Sequence, residues 1–124
     1  MNYIDIDFAI NIHDYVIDEI GGLKGIKDYG QLESVLIHIQ NDDYYPSFLD
    51  KLTHLVFSLV KFHMFNDGNK RTAISLGGYF MNLNHYTYAV DDFIIEMEDI
   101  VVKVAENSIS KDDLKIIIKD ILDI

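Results

Sequence analysis

"SFLDKLTHLVFSLVKFHMFNDGNKRTAISLGGYFMNLN", Ser47 to Asn84, decides how this chain folds. Its first half repeats apolar residues at helical spacing through Leu52, Leu55, Val56, Leu59 and Val60, with apolar side chains nearly all round. That pattern belongs to a helix buried in the middle of a bundle. From Lys70 a second helix resumes, and it carries Gly77-Gly78 in its interior. Each glycine there costs about 1 kcal/mol relative to alanine, so the pair is read as a place of close approach between helices. Between the two halves stands "HMFNDGN", a tight connection joining two buried elements.

Working outward, Phe8, Ile12, Tyr15 and Val16 predict a first helix from Asp5 to Ile20, capped by Asp5 or Asp7 and ended by Gly21-Gly22. "GGLKGIKDYG" reads as a loop, and "QLESVLIHIQ" as a short helix with Leu32, Val35, Leu36 and Ile39 inward and His38 on its polar face. "NDDYYPSF", with the only proline, is an extended flap or a loop. His54 is read as a satisfied, partly buried residue. Beyond the second central helix, "HYTYAV" reads as one short β-prone strand and "DDFIIEMEDIVVKVAEN" as an amphipathic helix with Asp91 as its cap. The last helix is "SKDDLKIIIKDILDI", where Ser110 and Asp113 have the spacing of a capping box. The expected fold is all-α: one domain over residues 1–124, a helical bundle with at most a small hairpin or flap.

Composition narrows the function. The chain has 124 residues, no cysteine and a formal net charge of −11. Disulfides and cysteine-bound zinc are excluded. A broad nucleic-acid face is not expected, because such a face needs clustered Lys and Arg. No apolar run approaches the ~20 residues of a membrane helix. The N terminus lacks the basic start and apolar stretch of a secretory signal, so a cytoplasmic location is expected.

Against this acidic background the only arginine, Arg71, follows Lys70 directly. Both fall in the first turn of the second central helix, where cations are unfavourable for the helix itself. A bound anion would offset that, taking unpaired backbone N–H groups, the Arg71 fork and the Lys70 charge together. Gly68 lets the backbone approach closely, and Asn69 tolerates the turn geometry. No glycine stands five residues before Gly68, so this is not a Walker A loop. Asp67 offers one carboxylate, enough for Mg²⁺ when phosphates and waters supply the other oxygens. His63 offers an imidazole to take a proton from a hydroxyl. The residues thus suggest transfer from a nucleotide to a hydroxyl. Read by themselves they are equally an ordinary turn, a helix end and two solvated charges.

The motif His63-x-Phe65-x-Asp67-Gly68-Asn69-Lys70-Arg71 resembles the signature of the Fic/Doc family, and most closely its death-on-curing (Doc) toxin branch. "IHD" in the first helix and "GGLKGIKDYGQLES" extend the resemblance. It implies a Fic-fold bundle with the motif between two central helices, and catalysis by His63, Lys70 and Arg71. It also implies nucleotide binding by Gly68, Asn69, Lys70 and Arg71, Mg²⁺ held by Asp67, and Phe65 as an inward anchor. AMP-transferring relatives carry glycine in place of Lys70 and arginine in place of Ile74. The Doc branch instead passes the γ-phosphate of ATP to a threonine of elongation factor Tu, blocking translation. The resemblance further implies target docking along a flap, for which Tyr44 and Tyr45 are the candidates. No Ser/Thr-x-x-x-Glu inhibitory helix is found, so it implies inhibition in trans by an antitoxin with a disordered tail. AMP transfer, or a silent module that binds nucleotide or antitoxin, are the alternatives.

Overall fold

The computed structural model describes residues 1–124 and contains six α-helices and no sheet. In chain order they are α1 (Ile6–Ile20), α2 (Tyr29–His38), α3 (Phe48–Lys61), α4 (Asn69–Leu83), α5 (Val90–Ala105) and α6 (Lys111–Leu122). Local chemistry sets the ends. Asp5 accepts the Phe8 N–H at 2.8 Å and starts α1, while Gly21, at φ 80°, ends it. Asp28 accepts the Gln31 N–H at 3.0 Å, so α2 begins at Tyr29, two residues before the expected glutamine. Ser47 and Asp50 form a capping box on α3, and Ser110 with Asp113 forms the expected one on α6.

α3 is the central element. Leu52, Leu55, Val56 and Leu59 are fully buried, and α2, α4, α5 and α6 pack around them. α4 lies against α3, α5 and α1. A Cβ on Gly77 would come within 2.8 Å of the Phe93 ring on α5 and 3.1 Å of Val56 on α3, so the close approach belongs to Gly77. A Cβ on Gly78 would meet nothing nearer than 3.7 Å. Lys51, fully buried in α3, donates to the Ile39 carbonyl and to Asp42, both at 2.7 Å. A cation thereby satisfies the end of α2.

Two expectations are corrected. "HYTYAV" forms no strand: Thr87–Ala89 is a 3₁₀ turn. No partner strand is present to take its backbone groups, and Tyr86 instead stacks on Phe48 at 4.5 Å while Tyr88 donates to the Leu122 carbonyl at 2.7 Å. Asp91 does not cap α5. The helix is entered from that turn through Ala89, and Asp91 and Asp92 sit in the first turn, facing the positive end of the dipole. No helix is long and apolar enough to cross a membrane.

Candidate active site

α3 ends at Lys61 with Phe62 as its C-cap, and His63 follows in the left-handed region, at φ 47°. Met64 and Phe65 then enter the core. Phe65 stacks on the buried ring of His13 from α1, with centroids 3.9 Å apart and planes 6° from parallel. His13 donates from Nε2 to the Asp67 carbonyl at 2.7 Å, since a carbonyl only accepts. Asn69 brackets Phe65 from the other side: its Oδ1 accepts the Phe65 N–H at 3.1 Å and its Nδ2 donates to the Phe65 carbonyl at 3.0 Å. An aromatic anchor and two amide bonds fix the loop at its midpoint.

α4 starts from Gly68 in the left-handed region, at φ 74°, with no side chain capping its N terminus. A Cβ on Gly68 would stand 2.9 Å from Ile17, so the position is both conformationally and sterically reserved for glycine. The first N–H groups of α4 have no partner within the helix, and its dipole adds positive character at the same place. They open on a cleft of about 340 Å³ lined by Asp67, Gly68, Asn69, Lys70 and Arg71 on the motif side. Ile20, Ile74, Val101 and Val102 form its apolar walls, and Glu98 of α5 closes it.

Arg71 is not free in this cleft. Its Nη1 donates to Glu98 Oε1 at 2.9 Å, an ion pair with both side chains about half exposed. Lys70 is exposed and has no ion-pair partner. Asp67 Oδ1 accepts the Gly68 N–H at 2.9 Å and Oδ2 accepts the Leu23 N–H at 3.2 Å. Each oxygen keeps a lone pair for a cation. Asp67 is the one carboxylate in the motif loop, and it fits a Mg²⁺ ion only where a phosphate ligand and water supply the remaining oxygens. His63 is exposed at the start of the same loop and is not among the residues that line the cleft.

Beside the loop runs the segment between α1 and α2. Ile26 forms an antiparallel bridge with Phe65, and the Lys27 and Asp28 N–H groups donate to the Met64 carbonyl at 2.8 and 3.0 Å. Gly22, at φ 118°, passes so close to Asp67 that a Cβ there would meet its carboxylate at 2.6 Å. Sequence reading placed a loop here from its glycines, but not its packing beside the motif. The expected docking residues lie elsewhere. Tyr44 and Tyr45 precede α3 while the motif follows it, and a 14-residue helix separates its ends by about 21 Å. The Asp42 to Lys51 ion pair holds that loop at the first turn of α3, and Tyr45 stacks at 4.4 Å on His54, midway along the helix and nine residues before His63. Glu98 was also missed, because nothing local in "EMED" marks it.

Comparison with known proteins agrees with this architecture. The sequence profile of the Fic/DOC family matches residues 3–81. The protein named Toxin Doc from Mycolicibacterium smegmatis is 33% identical over 98 residues, covering 76% of this chain and 75% of its own. The Protein kinase doc of Escherichia phage P1 is 34% identical over 88 residues, covering 68% of this chain and 69% of its own. With its six-helix bundle, the motif loop between α3 and α4, and these relatives, the chain belongs to the Fic/Doc family.

Proposed function

We propose that this protein is a Doc-like toxin that transfers the γ-phosphate of ATP to a threonine hydroxyl of elongation factor Tu, and that an antitoxin with a disordered tail restrains it in trans. The observation that carries the reading is the uncapped N terminus of α4, where Gly68, Lys70 and Arg71 face one cleft beside the Asp67 carboxylate, the cleft's other carboxylate, Glu98, being paired to Arg71. The triphosphate is bound by the α4 N–H groups, the Lys70 ammonium and the Arg71 guanidinium. Asn69 contributes through its backbone, since its amide is committed to Phe65. Mg²⁺ held at Asp67 would supply charge neutralisation on the phosphate oxygens. His63 accepts the proton of the target hydroxyl as its oxygen bonds to the γ-phosphorus; the bond to the β–γ bridging oxygen breaks, and ADP leaves.

The target segment is aligned by the strap from Gly22 to Asp28, which runs beside Phe65, in place of Tyr44 and Tyr45. Lys70 replaces the glycine of the AMP-transferring relatives and Ile74 their second arginine, which favours phosphate over AMP. Incubation with α- or γ-labelled ATP and purified elongation factor Tu tests the reading. Label should pass to the factor from the γ-position only, and His63→Ala and Arg71→Ala should each abolish it while circular dichroism stays native. Transfer of the α-label would establish AMP transfer instead, and full activity in both variants would overturn the site.

A further inference from the structure

A second cleft, of about 620 Å³, lies on the outer side of α5 and α6. Its floor is a seam of isoleucines: Ile95 and Ile100 from α5, Ile117 and Ile121 from α6. Ile95 is 72% exposed, and Ile100, Ile117 and Ile121 beside it are partly buried. Asp92, Glu96 and Asp120 form the rim, and none of them has a basic side chain within ion-pair distance. Asp92 and Glu96 are one turn apart on α5, as are Ile117 and Ile121 on α6. The result is an apolar channel along two packed helices, flanked by uncompensated negative charge.

We propose that this channel is a docking surface for a cationic amphipathic helix of another protein. Such a helix lays residues spaced i, i+3, i+4 and i+7 on the isoleucines, and its flanking Lys or Arg side chains meet the three carboxylates. Charge selects the occupant. A second copy of this chain carries −11 and would oppose its own acidic rim to this one. An anionic lipid surface is rejected for the same reason. The surface is distinct from the nucleotide cleft, which uses Glu98, Val101 and Val102 on another face of α5.

The test uses the intact chain and a fluorescent synthetic peptide with leucines at i, i+3, i+4 and i+7 and lysines elsewhere, titrated at about 0.15 M salt, with amide shift mapping by NMR. Shift changes should fall on α5 and α6. The charge-preserving double variant Ile95→Ala/Ile117→Ala should weaken binding about tenfold. Ile95→Ala alone, at an exposed position that leaves the core intact, should weaken it in the same direction. Asp92→Asn/Glu96→Gln/Asp120→Asn should also weaken it and flatten its salt dependence. If the isoleucine variants bind as tightly as the native chain, the association is charge attraction alone and the proposal fails. It fails equally if the shifts map to the motif loop, or if sedimentation shows the chain dimerising through Ile95 and Ile117.

Discussion

Arg71 stands between two anions: Glu98 at 2.9 Å, and the phosphate that the proposed reaction brings to the same cleft. A half-exposed ion pair is worth only about 0–1 kcal/mol, whereas a bidentate contact to phosphate is stronger, so the glutamate yields but still competes. Glu98→Gln is therefore expected to lower the Kd for ATP by roughly two- to fivefold in calorimetry, the gain shrinking as salt is raised. Weaker binding in that variant would make Glu98 an orienting group for Arg71 and sink the competition. The contrast with its neighbours explains what sequence can reveal. Asp67, Gly68, Lys70 and Arg71 are contiguous, and the grammar of a helix start exposes them. Glu98 lies 27 positions away on another helix, and only packing of α4 against α5 brings it near. Asn69 shows the same limit from the other side. Sequence marked it as a turn residue, and only the fold shows that both ends of its amide hold the backbone of buried Phe65. Removing them leaves buried backbone groups unpaired, so Asn69→Ala should lower the unfolding free energy in urea by about 1–3 kcal/mol.

At the level of elements, the six helices were legible because periodicity and caps agree along most of the chain. The failures came where a local preference lacked its tertiary partner: "HYTYAV" has β-prone residues but no strand to pair with, and the bundle takes its tyrosines instead. The glycine pair of α4 shows the same limit. Sequence marks Gly77 and Gly78 alike, but the space around them differs. At Gly77 a methyl group would press on the fully buried Phe93 ring and on Val56, so Gly77→Ala should cost about 1–3 kcal/mol even after the helix-propensity gain. At Gly78 the nearest atom lies 3.7 Å away, an ordinary contact, so Gly78→Ala should raise stability by roughly 0.5–1 kcal/mol. Thermal unfolding of the two variants, measured side by side, should shift in opposite directions. A rise with Gly77→Ala would show that α4 does not need that glycine to reach α5.

Across the whole molecule, one polar network ties the loop before α3 to the far end of the chain. Half-buried His54 on α3 accepts from Lys111 Nζ at Nδ1, 2.8 Å, and so carries its proton on Nε2, 3.2 Å from the Tyr45 hydroxyl. Sequence marked His54 as a satisfied, partly buried residue, but its main partner lies 57 positions on, in α6, beyond any local pattern. Burial, with the charges of Lys111 and His38 adding to it, holds the His54 imidazole down to about 4, against 6.5 when unfolded. Between those values the unfolded chain binds the extra proton, so stability rises with pH across the window and is lost as pH falls from about 6.5 towards 4. Because water still reaches part of the ring, the loss is on the order of 1–2 kcal/mol rather than the full shift. The depressed carboxyls of Asp42, Asp50 and Asp113 act only lower, since their unfolded value is 3.8. Urea unfolding at pH 7 and pH 4.5 should show this decline in the native chain, and His54→Gln, which keeps an amide for the same partners but does not titrate, should flatten it. An equal decline in the variant would move the proton uptake to another group and break the link between α3 and α6 that the network implies.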